Sequence, residues 1–154
     1  MFTPSKPPLP PGGSPCPAAA PPAANYVPFV RTGNLLFTSG QLPLSGGKLV
    51  STGLLGRDLD TAAGQDAARA CAINILAQVK AATGDLEKIA RIVKITVFVA
   101  STPDFTEQHL VANGASDLLA TVLGERGRHA RAAVGTASLP LGAPVEVEAI
   151  VELA

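Results

Sequence analysis

From Tyr26 onward, apolar positions alternate between the spacing of strands and that of helices. Val27, Phe29 and Val30, a Thr32-Gly33-Asn34 turn and Leu35-Leu36-Phe37-Thr38 predict a β-hairpin. Ser39-Gly40-Gln41 closes its second strand, Pro43 prevents continuation, and Ser45-Gly46-Gly47 turns the chain into Lys48-Leu49-Val50. A helix is predicted from Asp60-Thr61, where a side-chain oxygen can cap free amides, to Thr83, with Gly84 as its stop. Its buried stripe is Ala68, Cys71, Ala72, Ile75, Leu76 and Val79. Asp85–Lys88 reads as a short turn, and the β-branched run Ile92–Val99 as the central strand. Thr102-Pro103-Asp104-Phe105 is expected to open a second helix with the stripe Val111, Ala115, Leu118, Leu119 and Val122, ended by Gly124. Two more strands are predicted at Arg131–Ala137 and Val145–Leu153. In the latter, Val145, Val147, Ala149 and Val151 alternate with Glu146, Glu148, Ile150 and Glu152. This order predicts an α+β plan, a mixed sheet with both helices on one face.

Residues 1–24 break the pattern. Proline, alanine, serine and glycine dominate there, favouring extended backbone with few ladder donors. They read as an arm preceding a domain over 25–154. The arm is expected to lie along a neighbouring subunit or stay disordered, in preference to acting as a Pro-rich ligand, and its removal over residues 1–22 is expected to leave the fold intact.

Composition narrows the function. Hydrophobic residues make up 47% of the chain, charged ones 16%, and mean hydropathy is +0.30, so little polar surface is available and a homo-oligomer is favoured. Twelve basic side chains balance twelve acidic ones, which provides no field to draw in nucleic acid or an anionic membrane. Cys16 among prolines and Cys71 in a helical pattern do not suggest a disulfide framework, and with His109 and His129 they give no zinc spacing; no metal is expected. With no apolar signal segment and no run able to span a bilayer, a cytoplasmic protein is expected.

The sequence carries no triad, P-loop, dinucleotide or metal motif. A sparse polar set remains: Tyr26, Ser39, Gln41, Asn113, Arg131 and Glu146. Arg131 opens the apolar run Ala132-Ala133-Val134 and is either a site for a planar anion or a solvated strand-end charge; taken alone, the residues favour the second. Arg126, Arg128 and His129 read as a solvated loop rather than an RNA-binding patch, since no aromatic residues interleave them. Glu146 alone reads as an outward-facing charge.

The segments Gly33-Asn34-Leu35-Leu36-Phe37-Thr38-Ser39-Gly40-Gln41-Leu42-Pro43, Val93–Val99, and Arg131-Ala132-Ala133-Val134 through Leu139-Pro140 to Val145–Ile150 occur in this order. Together they resemble the RidA/YjgF family of reactive-intermediate deaminases, also labelled L-PSP endoribonucleases. The resemblance implies a chorismate-mutase-like fold, a homotrimer with a central barrel, and ligand clefts between subunits. It also implies hydrolysis of 2-imino and 2-enamino acids to 2-oxo acids and ammonia, without a cofactor because the substrate is already activated. Position by position, Arg131 matches the arginine that grips the substrate carboxylate and Glu146 the acid near the attacking water. Tyr26, Ser39, Gly40, Asn113 and Pro140 match cleft residues, and Ala133 stands where many members have cysteine. The arm and the segments Val111–Asp117 and Gly124–Ala130 depart from the archetype and point to a longer branch. The alternatives are a non-catalytic trimer that binds small carboxylates and, ranked last, a ribonuclease.

Overall fold

The computed structural model describes residues 16–154. Strands β1 (Phe29–Thr32) and β2 (Leu35–Thr38) form the expected hairpin, with Gly33 at φ +59 in its turn. A small two-stranded hairpin follows, β3 (Leu44–Ser45) and β4 (Lys48–Leu49). Helix α1 (Thr61–Thr83) starts and stops where capping chemistry places its ends. The Asp60 carboxylate accepts from the Ala63 amide at 2.8 Å, and Gly84 takes the left-handed conformation at φ +80. Every residue of its expected stripe is buried.

The long strand β5 (Ile89–Ala100), helix α2 (Gln108–Leu123), β6 (Ala130–Thr136) and β7 (Val145–Leu153) complete the α+β fold. Two expectations are corrected. Helix α2 opens at Gln108 rather than at Thr102–Phe105, because the Phe105 amide closes a turn onto the Thr102 carbonyl while its side chain packs on the core. The middle of the five-stranded sheet, ordered β1-β2-β7-β5-β6, is β7 rather than β5. β7 runs antiparallel to both β2 and β5, and only β5 and β6 pair in parallel.

Both helices cover one face of this mixed sheet, burying Ile95, Val97, Val99, Val147, Ala149 and Val151. They approach closely: a Cβ on Gly114 of α2 would overlap the Gln65 backbone of α1. The other face carries Val30, Phe37 and Val134, all exposed, together with Phe98, Ile150, Glu146 and Glu148. β6 is an edge strand.

Residues 16–24 lack helix and strand but lie on α1 of their own chain. The Ala20 carbonyl accepts from Nε2 of Gln78, a side chain 1% exposed, at 2.9 Å. This part of the arm therefore satisfies a buried donor, a role its composition did not suggest. The rest of the arm lies outside the described residues.

Candidate functional site

The candidate residues other than Pro140 fall into two clusters. In the first, Arg131 sits on edge strand β6 opposite Ile95, so its side chain projects to the helix side. Residues Asn113 and Ser116, three apart, share the face of α2 that meets it. Arg131 Nη1 donates to Asn113 Oδ1 at 2.9 Å and to Ser116 Oγ at 3.1 Å, and Nη2 donates to the His109 carbonyl at 3.1 Å. Three of the five guanidinium N–H groups are thus engaged, and the two that remain are on the adjacent nitrogens Nε and Nη2. None of these partners is a carboxylate; the nearby Glu125 pairs with Arg128 instead. Arg131 is therefore an immobilised cation without an acidic partner, not a solvated strand end.

Behind it stands His129. Nδ1 lies 2.6 Å from the Gly127 carbonyl, which can only accept, so Nδ1 carries the proton. Nε2 lies 2.8 Å from Ser116 Oγ and, in the neutral ring, accepts from that hydroxyl. Burial, with the Arg131 charge adding to it, lowers the His129 pKa despite the opposing carbonyl bond. The expectation that Arg126, Arg128 and His129 form one solvated loop holds only for Arg128, which is exposed and pairs with Glu125. Arg126 donates to the Ile89 carbonyl at 2.8 Å. A cavity of about 230 Å³ opens beside Ser116, His129 and Arg131.

The second cluster lies at the start of β7. Gln41 and Val147 exchange backbone hydrogen bonds at 2.7 and 3.1 Å, and this bridge sets Gly40 against the Glu146 side chain, so closely that a Cβ on Gly40 would overlap the carboxylate. Burial, and secondarily the charge of Glu148, raises the Glu146 pKa. Ser39 Oγ donates to the Val27 carbonyl at 2.6 Å, and its amide to Pro28, which anchors the segment carrying Tyr26. Tyr26 is 47% exposed, and its hydroxyl accepts from the Ala23 amide at 3.4 Å. Tyr26, Pro28 and Gly40 border one small cavity.

Arg131 and Glu146 are not brought together within one chain. Glu146 pairs with Phe98 and Arg131 with Ile95, on β5 between them, and the two side chains leave opposite faces of the sheet. Ala133 lies on the Arg131 side, opposite Val97. Pro140 begins an exposed turn with Leu141, at φ +61, and Gly142, between β6 and β7 and outside both clusters. Sequence reasoning missed Ser116 and the role of His129; the signal it could have used is the three-residue spacing of Asn113 and Ser116 on one helix face. Among the described residues, no group of His, Cys, Asp and Glu is placed to hold a metal, and no helix is long and apolar enough to cross a membrane.

The fold is thus a mixed sheet backed by two helices, with an arginine held by hydrogen bonds at its edge strand. The sequence model of the Endoribonuclease L-PSP family matches residues 17–153, and the chain belongs to this family, the RidA/YjgF group. Protein TCP17 of Trypanosoma cruzi is 57% identical over 138 residues, covering 89% of this chain and 86% of that protein. The crystal structure of the protein Atu1372, of unknown function, from Agrobacterium tumefaciens superposes with a TM-score of 0.87 at 64% identity, covering 92% of this chain and 87% of that one. The E. coli protein TdcF, solved with bound serine, gives a TM-score of 0.65 at 28% identity, covering 88% and 94%.

Proposed function

We propose that the protein hydrolyses small 2-imino and 2-enamino acids to 2-oxo acids and ammonia, gripping the substrate carboxylate with Arg131. The observation that carries this reading is the state of Arg131: half-buried, fixed by three hydrogen bonds, without an acidic partner, and with N–H groups left on two neighbouring nitrogens. A planar carboxylate accepts two parallel N–H bonds and supplies the missing negative charge. The relative TdcF, seen with serine, shares the fold and binds a ligand that also carries a carboxylate.

The chemistry needs one water and no cofactor. Water oxygen adds to the electrophilic C2 of the imine while the C=N π pair moves onto nitrogen. A carboxylate takes the proton from the water and passes it to that nitrogen. The same carboxylate carries the hydroxyl proton of the resulting carbinolamine to the amine, and C–N cleavage releases ammonia as C=O forms. Glu146 suits the proton transfers because its raised pKa brings it nearer to neutrality than an ordinary glutamate. Its distance from Arg131 within one chain means that the reaction needs Glu146 of a second copy. The exposed apolar face bearing Val30, Phe37 and Val134 suits such packing, and a homotrimer with its clefts at subunit boundaries joins the two half-sites. Tyr26, Ser39 and Gly40 then belong to the Glu146 wall, with Asn113 and Ala133 on the Arg131 wall.

That separation of Arg131 and Glu146 also favours a second reading, a small-carboxylate binder with no turnover. Generating 2-iminopropanoate with an amino-acid oxidase and following its decay decides between them. Acceleration by the protein, lost in Arg131→Ala, is expected; ligand binding without acceleration would establish the second reading. Ribonuclease chemistry is the weakest fit, since both ring nitrogens of His129 are engaged within the fold.

A further inference from the structure

Arg131 is held by more than the asparagine that the family resemblance implies. We propose that Ser116 and His129 are positioning residues for the carboxylate site: the Ser116 hydroxyl, oriented by the neutral His129 ring, fixes Arg131 Nη1 and so directs the Nε and Nη2 donors toward a small carboxylate. The inference rests on the carboxylate-fork reading of Arg131 and deepens it.

The direction of each bond in the chain is determined. The Gly127 carbonyl fixes the proton on Nδ1, which leaves Nε2 as an acceptor. Ser116 Oγ lies 2.8 Å from Nε2 and 3.1 Å from Arg131 Nη1, and Arg131 has no lone pair to offer. The hydroxyl must therefore spend its proton on the imidazole and offer a lone pair to the guanidinium. This turns a rotatable hydroxyl into a directed acceptor. Asn113 Oδ1 takes the other Nη1 hydrogen, so the Nη1 end cannot swing toward solvent without breaking two bonds.

The elements that meet here explain why a histidine can do this. His129 leaves the turn ending at Gly127 and packs where α2 passes β6, with Ser116 and Asp117 on the helix side and Arg131 on the strand side. The adjacent Arg128 is engaged with Glu125. Burial and the Arg131 charge both disfavour the imidazolium, and the ring is therefore neutral in the state that accepts from Ser116. A carboxylate bound to Arg131 cancels part of that charge. The ring, joined to Arg131 through Ser116, is therefore a reporter of the arginine's occupancy.

Isothermal titration of the full chain with 2-oxobutyrate, combined with NMR titration of the His129 ring protons, tests this. Arg131→Ala is expected to lose binding. Ser116→Ala and His129→Phe are each expected to weaken it roughly five-fold, the equivalent of one ordinary hydrogen bond. Ser116→Thr, which keeps the hydroxyl, and His129→Gln, which keeps an acceptor and a donor, are expected to restore affinity to near that of the parent. In the parent, the His129 ring signals are expected to shift when 2-oxobutyrate saturates the site. The inference fails if Ser116→Ala and His129→Phe, with unchanged melting temperatures, bind within two-fold of the parent while Arg131→Ala loses binding. It fails too if the His129 ring signals ignore a ligand whose binding depends on Arg131. Full affinity in Arg131→Ala would overturn the carboxylate-fork reading, and this inference with it.

Discussion

The two clusters solve opposite electrostatic problems. At Arg131, three neutral acceptors on one helix hold a cation that no acid neutralises, so the site is preorganised and short of one negative charge. At Glu146, an acid is pressed against Gly40 beside another glutamate, in surroundings that favour its neutral form. The first cluster stands on the rigid elements α2 and β6; the second depends on the Ser39–Gln41 segment and the Tyr26 loop. A site preorganised in this way recognises the ground state of its ligand, whereas a group whose pKa has moved toward neutrality is fitted to move protons. On the proposed function, binding and turnover belong to separate walls, and mutations should separate them.

The largest effect is expected at the second wall. Glu146→Gln keeps the shape and removes the titrating group, so imine turnover should fall by about two to four decades while 2-oxobutyrate binds as before. Stopped-flow decay of 2-iminopropanoate together with calorimetry would check both halves. Equal losses in binding and turnover would erase the distinction between the walls.

Arg131→Ala should act in the opposite sense. Losing the charge-assisted fork removes about 1.5 to 3 kcal/mol, one to two decades in affinity for a 2-oxo acid, and the chain should stay folded. Arg131→Lys keeps the charge without the planar fork and should recover only part of that loss. Calorimetric titration of both variants with pyruvate checks this; a lysine as good as the arginine would reduce the wall to a point charge.

Much of this architecture is legible in the sequence, because local chemistry dictates it. The α1 stripe, the Asp60 cap, the Gly84 stop and the alternation of β7 are written in residues close to one another in the chain. What escaped depends on distant partners. That β7 rather than β5 takes the middle of the sheet is settled by pairing across more than a hundred residues with β2. The late start of α2 follows from Phe105 turning into the core, which outweighs the helix-opening look of Thr102-Pro103-Asp104. The resemblance to the RidA/YjgF family supplied Arg131 and Asn113, and the fold brings them into contact. His129 was misread with its arginine neighbours, because a polar loop and a directed hydrogen-bond relay look alike until Ser116 is placed opposite. The Ala20 carbonyl that satisfies Gln78 was hidden for the same reason: a proline-rich segment offers acceptors without any pattern.

A smaller effect is expected from Gly40→Ala. The added Cβ would overlap the Glu146 carboxylate, and that side chain, half-buried rather than locked, can shift at a cost of about 1 to 3 kcal/mol. Thermal unfolding should register the loss, and turnover should fall further than 2-oxobutyrate affinity because the displaced group belongs to the proton-transfer wall. An unchanged melting temperature would mean that Glu146 is free to leave its seat.

The smallest effect is the pH dependence that Glu146 imposes on stability, and its sign distinguishes the two walls. The folded-state pKa is raised above the unfolded value, so the unfolded chain gives up the proton first as pH rises, and folding becomes less favourable across the interval between the two values. Stabilisation relative to neutral pH is complete below the ordinary glutamate pKa and is lost as pH climbs through the raised one. Because the side chain is about half exposed, solvent screening keeps the effect small. Glu146→Gln should therefore melt slightly higher than the parent near neutrality, and the difference should shrink as pH falls toward the ordinary glutamate value. His129 has the opposite character: its folded pKa is lowered, so its contribution favours the folded state at neutral pH and is lost as acid protonates the ring. As pH falls, the melting curve of Glu146→Gln should converge on the parent's while that of His129→Gln rises relative to it; parallel curves would show that the walls are not electrostatic opposites.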